Sequence, residues 1–474
     1  MRQHWKSHTG FILAAAGSAI GLGNIWRFPN VVAENGGGAF LAIYLVIIAV
    51  IGFSLMTAEI AMGRLAQANG VKAFSMHFKS IGKLWAIFPI FGLLAAFLIL
   101  SFYFIVAGWS LSFTWDYLLA MFTAQSGYAP DFGATISGSG TFLSWFTPLF
   151  WGAIFALVTI VIVALGVNEG LEKSNKILMP LLLIFIAIII FKALTLNTGI
   201  GSPWDGVAYY LQPDFSKIEG RFFKVTQIAL SHAFFSLSIG FLLMMTYGSY
   251  LDKTENLPKS AVTIAIADTF IAILAGFMTL PIVFAFGMQT IDPATGAETV
   301  NAGAGLVFVT LPKVFASLPY IFGFIFFALL TIAALTSNIS IAEAVAAWFA
   351  ETFNLNKGIA VSIVYVAAFL VGIPISLSLG GYELLGMEPI TFAWPWMAQP
   401  ADLLTAIDDE FSTKLLIPLG GFGVCACSAW GIWDKLKEEI QTGSSISTAF
   451  LNSWRYLLGI VIPALIAFIV YSSF

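Results

Sequence analysis

The sequence predicts an all-α polytopic membrane protein with about eleven transmembrane helices. Hydrophobic residues make up 59% of the 474 positions and charged residues only 10%, whereas soluble domains are about 25% charged. Apolar runs of about 20 residues, the length that crosses a bilayer as a helix, recur along the whole chain. Two of these runs contain glycine and polar residues in mid-span. We therefore expect a single integral membrane domain over residues 1–474, without a separate soluble domain.

Each apolar run is long enough to form one membrane helix, and short polar or glycine- and proline-containing segments separate the runs. The final run is expected to add one helix after two equal sets of five. The predicted spans are residues 10–35, 39–64, 86–120, 147–166, 174–195, 225–252, 259–288, 318–350, 358–379, 404–433 and 451–472.

The basic residues are unequally divided between the two sides of this predicted arrangement. If the N-terminus is inside, roughly two thirds of the 21 Lys and Arg residues fall on the cytoplasmic side, as the positive-inside rule requires. The opposite loops at 121–146 and 380–403 contain none. We therefore expect a multi-pass protein with a cytoplasmic N-terminus. No long basic tract indicates nucleic acid as a partner.

The most informative segment is residues 17–29, where three glycines, an asparagine, an arginine and a proline interrupt an apolar helix. Unpaired backbone groups are costly in hydrocarbon, so such a segment survives only where it lines a cavity or binds something. Residues 234–241 repeat the pattern with Ser236, Ser238 and Gly240. Interruptions five helices apart predict two inverted repeats, residues 1–200 and 220–433, with a site between them near the midplane.

Other classes of protein find less support in the sequence. A channel would need a continuous polar pore, but the polar residues form clusters at the predicted midplane. The phosphate-loop, zinc-binding and nucleophile-elbow motifs of enzymes do not occur in the sequence, so we do not expect an enzyme. Cys425 and Cys427 have neither metal-ligand nor disulfide-framework spacing and are expected to be packing residues.

Several segments together are specific to one family. They are residues 17–29, 34–40, 59–64, 236–238, 246–250 and 335–337. In these segments the chain resembles the neurotransmitter:sodium symporter family, and especially its bacterial amino-acid transporters with the leucine-transporter (LeuT) fold. The resemblance covers nearly the whole chain. It implies a LeuT-type 5+5 inverted repeat with unwound TM1 and TM6, in a transporter of the bacterial inner (plasma) membrane.

The resemblance also implies two sodium sites. Unwound turns provide backbone carbonyls that can replace the hydration shell of an ion without adding net charge. The implied ligands of the first site are Ala19, Asn24, Ser236 and Asp268, and those of the second site are Gly17, Ile20, Ala333, Thr336 and Ser337.

Asp268 is the main departure from the family pattern. An acid in the middle of a membrane helix is costly and is therefore a functional candidate. Relatives commonly have asparagine at this position, and chloride-dependent relatives have serine where this chain has Ala272. We expect Asp268 to join the first sodium site and to supply fixed negative charge, so that chloride is not required. The alternative is a buried Asp268 that is only hydrogen-bonded.

The resemblance implies a neutral hydrophobic or aromatic L-amino acid as the substrate. Amine-transporting relatives have an aspartate where this chain has Gly21, so the substrate is expected to bring its own carboxylate to the first sodium site. A charged side chain would find no partner in the pocket. The implied substrate-binding residues are Ser18, Ala19, Leu22, Gly23, Ile99, Tyr103, Phe235, Ser236, Ser238, Phe241, Ser337 and Ile341.

Two gates are expected to close in alternation. On the outside, Arg27 is expected to pair with Asp409, with Asp408 as the alternative, beneath a lid formed by Tyr103 and Phe235. Ion pairs with few members suit a gate because each is made and broken at modest cost. On the inside, the resemblance implies that Arg2 and Trp5 lock against Ser249, Tyr250 and Glu351.

Two further polar residues lie in predicted spans but outside the sites named above. His232 is expected to be structural, with pH sensing or the outer gate as alternatives. Glu343 is expected to contact the broken first or sixth helix. The implied function is symport of the amino acid with two Na⁺ ions. A proton-coupled permease of the same fold, which Asp268 and His232 favour, and a non-transporting amino-acid sensor are the alternatives. Membrane lipid is expected as a partner, and no obligatory protein partner is inferred.

Overall fold

The computed structural model describes residues 3–76, 87–123, 127–137, 147–291, 298–300, 305–381, 390–397 and 399–472. The first apolar run forms two helices, α1 (His8–Ala19) and α2 (Gly23–Glu34), whose axes differ by 49°. The hydroxyl of Ser7 accepts a hydrogen bond from the N–H of Gly10 at 3.0 Å and caps the start of α1. The predicted interruption is therefore a break between two half-helices.

The remaining described chain is mainly helical. In chain order the helices are α3 (Gly38–Ala66), α4 (Gly70–Met76), α5 (Ile87–Thr123), α6 (Phe132–Ser137), α7 (Thr147–Ala164), α8 (Val167–Leu194), α9 (Pro203–Leu211), α10 (Phe222–Ser236), α11 (Leu243–Gly248), α12 (Leu257–Ala285), α13 (Leu306–Phe315), α14 (Tyr320–Phe353), α15 (Lys357–Gly380), α16 (Leu403–Gly431), α17 (Trp433–Gln441) and α18 (Thr448–Ser472).

Eight helices of the described residues, α3, α5, α8, α12, α14, α15, α16 and α18, are long and apolar enough to cross a membrane, and the bent pair α1 and α2 makes a ninth span. The fourth predicted span corresponds to the shorter apolar helix α7, and the sixth is divided between α10 and α11. This arrangement is compatible with the eleven predicted spans.

Short hairpins occur only between helices in the described part of the chain. Strand β1 (Gln289–Ile291) pairs antiparallel with β2 (Glu298–Val300), and β3 (Thr391–Phe392) pairs with β4 (Ala401–Asp402). Both hairpins fall outside the apolar spans, where backbone groups can reach water.

The second break lies between α10 and α11. Ser238, Gly240 and Leu242 all have positive φ angles, of 55°, 92° and 71°. At Gly240 a Cβ atom would lie 2.5 Å from the carbonyl oxygen of Ile417, so both the conformation and the close approach of α16 require glycine there. The polar residues of the predicted interruption thus lie on a turn in which only glycine fits at position 240.

Helix α14 holds the two broken helices in place. It packs against α5, α7, α8 and α15, and it also contacts α1 and α11. On the opposite side of the breaks, α12 contacts α1, α2 and α3. The site therefore lies between two continuous helices, α12 and α14, and two interrupted ones. Cys425 and Cys427 are both buried in α16, as expected for packing residues.

Candidate functional site

The first break and α14 together form a cluster of oxygen atoms. The hydroxyl oxygen of Ser337 lies 3.4 Å from the carbonyl oxygen of Gly17, 3.0 Å from that of Ser18 and 3.2 Å from that of Ile20. The hydroxyl oxygen of Thr336 lies 3.3 Å from the Ile20 carbonyl oxygen and 3.0 Å from that of Ala333. The five residues of this group that were predicted for the second sodium site, Gly17, Ile20, Ala333, Thr336 and Ser337, are here called the α14 oxygen cluster, and the Ser18 carbonyl adjoins it.

The chemistry of the α14 oxygen cluster suits a cation. Each hydroxyl group has one proton to donate, so the two hydroxyls cannot hydrogen-bond to all of these carbonyls at once. The remaining contacts bring oxygen atoms together without a proton between them. All five members predicted for the second sodium site therefore meet in one buried place, and a small cation would relieve their mutual repulsion.

A second polar cluster joins the breaks to α12. The Asn24 amide nitrogen donates to Asp268 Oδ1 at 2.7 Å and to the Ser236 hydroxyl oxygen at 3.2 Å. The Ser236 hydroxyl lies 3.0 Å from Asp268 Oδ2, and Asn24 Oδ1 accepts from the Gly21 N–H at 3.1 Å. Asn24, Ser236 and Asp268, here called the α12 cluster, are all buried.

The α12 cluster contains an acidic side chain surrounded by neutral groups. Asp268 is completely buried, and its described side-chain partners are the neutral groups of Asn24 and Ser236. One turn further along α12, Ala272 has no side-chain group that could bind an anion. The fourth residue predicted for the first sodium site, Ala19, lines the adjacent cavity together with Ser236.

A small cavity of about 20 Å³ lies between the two clusters. This volume is far below the range for small-molecule sites, about 300–1,000 Å³, so the cavity must widen to accept a ligand of that class. Its lining contains no residue that is charged at neutral pH. The lining residues are Ser18, Ala19, Gly21, Gly23, Ile99, Tyr103, Phe235, Ser236, Ser238, Phe241, Ser337 and Ile341.

The lining differs from the predicted pocket at two neighbouring positions. Leu22 does not line the small cavity; its N–H donates to the Tyr103 hydroxyl oxygen at 3.1 Å, and the residue lines a larger outer cavity instead. Gly21 does line the small cavity, and a Cβ there would collide with the hydroxyl of Ser337 and lie 2.8 Å from that of Tyr103. The absence of a side chain at position 21 is therefore a steric requirement.

The outer cavity has a volume of about 430 Å³ and adjoins the small one at Gly23, Tyr103 and Phe235, which line both. Above this partition, the Arg27 guanidinium pairs with the Asp409 carboxylate and lies 3.5 Å from Asp408 Oδ2. Its central carbon lies 5.4 Å from the centre of the Phe235 ring. Both predicted acidic partners therefore face Arg27, and the shorter contact is to Asp409.

On the other side of the breaks, Trp5 is buried against α11. Its backbone N–H donates to the Tyr250 carbonyl oxygen at 3.1 Å, and its indole N–H donates to the Tyr247 carbonyl oxygen at 3.1 Å. The Trp5 ring lies 5.3 Å from the Tyr247 ring and 6.2 Å from the Tyr250 ring. The predicted contact with Tyr250 is present, and Tyr247 is a partner that the sequence analysis missed.

Two other predicted members of the inner gate, Glu351 and Ser249, have the following described contacts. Glu351 accepts hydrogen bonds from the Asn69 side chain at 2.8 Å and from its backbone N–H at 3.2 Å, and the Ser249 hydroxyl donates to the Thr246 carbonyl oxygen. Neither of these contacts involves Trp5. Arg2 lies outside the described residues.

Glu343 contacts the sixth span. Its Oε1 atom accepts from the Tyr250 hydroxyl at 2.5 Å and lies 2.7 Å from Lys357 Nζ. His232 is also buried, and its ring stacks at 5.4 Å on Phe28 and lies 5.7 Å from Tyr44. This packing is what a structural histidine would show, although His232 also lines an outer cavity beside Arg27.

Glu59 on α3 holds the second break. Its Oε1 atom accepts a hydrogen bond from the Gly240 N–H at 2.6 Å, and the residue is fully buried. A buried N–H group in an unwound turn needs such a partner. The sequence signal was an acid in the middle of an apolar span, the same signal that identified Asp268, but Glu59 entered the sequence analysis only as part of a family segment.

Comparison with known proteins finds sodium-dependent transporters. The model of the Sodium:neurotransmitter symporter family matches residues 2–129 and 145–395. An uncharacterized sodium-dependent transporter of Haemophilus influenzae is 33% identical over 481 residues, which cover 100% of this chain and 98% of the relative. An uncharacterized sodium-dependent transporter of Bacillus subtilis is 32% identical over 97% of this chain and 95% of the relative.

A solved structure has a similar fold over its full length. The crystal structure of MhsT in complex with L-phenylalanine superposes with a TM-score of 0.83 and 38% sequence identity, and the match covers 100% of both chains. This likeness confirms the predicted LeuT-type fold. The matched family and fold are those of sodium-coupled transporters and not of enzymes.

Proposed function

The chain belongs to the Sodium:neurotransmitter symporter family, and from this premise we propose that it carries a neutral hydrophobic or aromatic L-amino acid into the cell together with Na⁺. Family membership makes it a multi-pass, sodium-coupled membrane transporter. The proposal adds the class of amino acid, the direction, the two ion sites and the independence from chloride.

The observation that carries the proposal is the position of the small cavity. It lies between the α12 cluster and the α14 oxygen cluster and shares Ser236 with the first and Ser337 with the second. A substrate in this cavity would touch residues of both clusters. Binding of the ions and of the amino acid would therefore stabilise the same arrangement of the broken helices, which is the basis of coupled transport.

The polar end of the substrate is proposed to lie near the breaks. The carboxylate would complete the ion site at the α12 cluster and approach the hydroxyl of Tyr103, and the amino group would face the carbonyl oxygens of the broken helices. Half-helix N-termini favour such an anionic group. In this assignment Ala19, Asn24, Ser236 and Asp268 hold one Na⁺, and the α14 oxygen cluster holds the other.

The apolar side chain of the substrate is proposed to lie among Ile99, Phe241 and Ile341, with the hydroxyls of Ser18 and Ser238 at its edge. A charged side chain would be buried there without a partner, at a cost of several kcal/mol. The solved structure of MhsT with L-phenylalanine supports an aromatic amino acid as one substrate.

Chloride independence is proposed on the basis of Asp268. Its carboxylate already provides a buried negative charge beside the proposed first ion, while Ala272 offers an anion no hydrogen-bond donor from its side chain. A bound chloride ion is then unnecessary to balance the charge of the bound sodium.

Transport is proposed to proceed by alternating access. The outer gate of Arg27, Asp409, Tyr103 and Phe235 opens while Trp5 closes the inner side against α11, and then the two sides exchange roles. Residues 1–200 and 220–433 are proposed as the inverted repeats that move relative to each other. A bacterial plasma membrane is the proposed location, with the N-terminus in the cytoplasm.

A binding experiment tests the proposal. Purified protein is incubated with a panel of labelled amino acids in Na⁺, K⁺ or choline media, each with chloride or with gluconate. We expect saturable binding of neutral hydrophobic or aromatic amino acids in Na⁺ only, equal in both anions. Uptake into proteoliposomes with an imposed Na⁺ gradient then separates a transporter from a sensor.

A proton-coupled permease is the second candidate, because Asp268 is a fully buried carboxylate on the proposed substrate route. Tight binding without Na⁺, together with uptake driven by an imposed pH gradient, would overturn sodium symport and establish this alternative.

A further inference from the structure

Tyr247 on α11 is bound at both ends. Its hydroxyl oxygen lies 2.6 Å from that of Ser340 on α14, and its carbonyl oxygen accepts the indole N–H of Trp5 at 3.1 Å. Tyr247 and Ser340 are completely buried, and Trp5 is 7% exposed. One residue of the broken sixth span therefore touches both a continuous helix and the segment that closes the inner side.

The direction of the hydroxyl contact follows from the proton count. The Ser340 hydroxyl lies 3.2 Å from the carbonyl oxygen of Thr336, one turn earlier in α14. Each hydroxyl has one proton. Both groups are satisfied when Tyr247 donates to Ser340 and Ser340 donates to the Thr336 carbonyl. A hydrogen-bonded chain then runs from α11 to the backbone of Thr336.

Thr336 connects this chain to the proposed second ion site. Its hydroxyl belongs to the α14 oxygen cluster, where it lies 3.3 Å from the carbonyl oxygen of Ile20 in the first break. A cation in that cluster would hold α1 against α14. Because Trp5 lies just before the start of α1 at His8, a fixed α1 also keeps Trp5 in its place on Tyr247.

The segment that contains Trp5 is anchored on its far side as well. The Lys6 N–H donates to Glu172 Oε2 at 2.9 Å, and the Ser7 hydroxyl donates to Glu172 Oε1 at 2.8 Å. Lys6 Nζ lies 2.7 Å from Glu169, whose hydrogen bond and negative charge raise the pKa of Lys6. Residues 5–7 therefore bridge α8 and α11.

We infer that the Tyr247–Ser340 hydrogen bond couples occupation of the α14 oxygen cluster to closure of the inner side. This inference rests on the proposed function and identifies Tyr247 and Ser340 as positioning residues, since neither belongs to the α14 oxygen cluster or lines the substrate cavity. The bond forms only when α11 is packed against α14, and that arrangement also seats Trp5. Coupling of this kind is reciprocal, so a weaker closure lowers the apparent affinity for Na⁺.

The test measures the concentration of Na⁺ that gives half-maximal binding of a labelled amino acid to the purified full-length protein. Tyr247→Phe removes one hydroxyl and leaves the ring and the carbonyl contact with Trp5. We expect this variant to need about five-fold more Na⁺, the effect of losing one buried hydrogen bond. Amino-acid affinity at saturating Na⁺ is expected to be unchanged. General damage to the fold would change both the Na⁺ requirement and the amino-acid affinity.

Tyr117→Phe is the matched control. Tyr117 is equally buried, and its hydroxyl donates to the Pro312 carbonyl oxygen at 3.2 Å on α13, in a contact that involves neither break. We expect wild-type Na⁺ dependence in this variant. An unchanged Na⁺ requirement in Tyr247→Phe, or an equal change in Tyr117→Phe, would overturn the inference.

Ser340→Ala and the double variant complete a mutant cycle. Ser340→Ala leaves the Tyr247 hydroxyl buried without its partner, so its melting temperature is expected to be the lowest, and the double variant is expected to recover part of this loss. The Na⁺ requirement is expected to stay raised in both. If wild-type binding shows no Na⁺ dependence, the proposed function fails. If wild-type binding depends on Na⁺ and the variants have the same Na⁺ requirement as the wild type, only the coupling fails.

Discussion

At the scale of single residues, the Ser337 hydroxyl lies within 3.4 Å of three carbonyl oxygens, those of Gly17, Ser18 and Ile20, and Ser337→Ala removes that hydroxyl. We expect about a ten-fold rise in the Na⁺ concentration for half-maximal amino-acid binding, because one ligand of a charged group is lost. Ser101→Ala is a suitable control, since Ser101 is equally buried and its hydroxyl donates only to the preceding turn, to Phe97. Equal Na⁺ titrations for both variants would contradict the second ion site.

Gly21 gives a steric prediction. A methyl group there would collide with the Ser337 hydroxyl and press on that of Tyr103, so Gly21→Ala is expected to weaken amino-acid binding by about ten-fold or more. Binding of the labelled amino acid at saturating Na⁺ measures the effect. Gly305→Ala serves as the control because no atom of the described residues lies within 4 Å of its new Cβ. Wild-type affinity in Gly21→Ala would mean that the cavity is not the binding site.

Asp268 gives a prediction about anions. Asp268→Ser removes the fixed charge from the α12 cluster while keeping a small hydroxyl group, so binding and uptake are expected to become dependent on chloride. The measurement is Na⁺-dependent binding in chloride and in gluconate. Asp116→Ser on α5 is the control, because Asp116 does not line the cavity. Full activity without chloride in Asp268→Ser would remove the proposed role of this charge.

At the scale of secondary-structure elements, the broken sixth span depends on α3. Glu59→Ala leaves the buried Gly240 N–H without its acceptor, and we expect the free energy of unfolding to fall by about 1–3 kcal/mol. Glu59→Gln retains an amide oxygen that can accept from Gly240 and is expected to lose less. Thermal unfolding of the purified variants measures the difference. Equal loss in both would show that the hydrogen bond to Gly240 does not account for the stability of the turn.

At the scale of the whole molecule, the two sides of the site are closed by contacts of different kinds. The outer closure uses the ion pairs of Arg27 with Asp408 and Asp409, whose side chains are 28%, 15% and 44% exposed, whereas the inner closure buries the aromatic ring of Trp5 against α11. The closer pair, with the more exposed Asp409, is of the solvent-accessible kind that contributes about 0–1 kcal/mol, while burial of an aromatic ring contributes more. The outer side is therefore the one expected to open more easily from this conformation.

A variant of Arg27 tests this difference. Arg27→Gln is expected to speed release of a bound amino acid to the outside several-fold, because the partition of Tyr103 and Phe235 loses the cation that lies over it. Dissociation of labelled amino acid after dilution into unlabelled ligand measures the rate. Lys224→Gln, in the neighbouring outer cavity, should leave the rate unchanged. Release at the wild-type rate from Arg27→Gln would exclude this ion pair from the outer gate.

Much of the site could be predicted from sequence because its special residues are local in the chain. Gly17, Gly21, Asn24 and Ser236 interrupt apolar helices, and a backbone open to hydrocarbon must have a binding role. The partners of Glu343 could not be predicted in this way. The sequence did not decide whether Glu343 contacts the first or the sixth helix, and in the structure its carboxylate contacts Tyr250 and Lys357. Such pairings depend on how each helix is rotated about its own axis.

The sequence by itself determined the membrane class, the approximate spans, the two breaks and the family resemblance, because hydrophobic length and glycine-rich interruptions are properties of continuous segments. Only the tertiary structure decided that Tyr247 joins Ser340 to Trp5, that Glu59 holds the Gly240 turn, and that Leu22 faces the outer cavity. These contacts join residues far apart in the chain. They are fixed by the packing of neighbouring helices, which no single segment of sequence encodes.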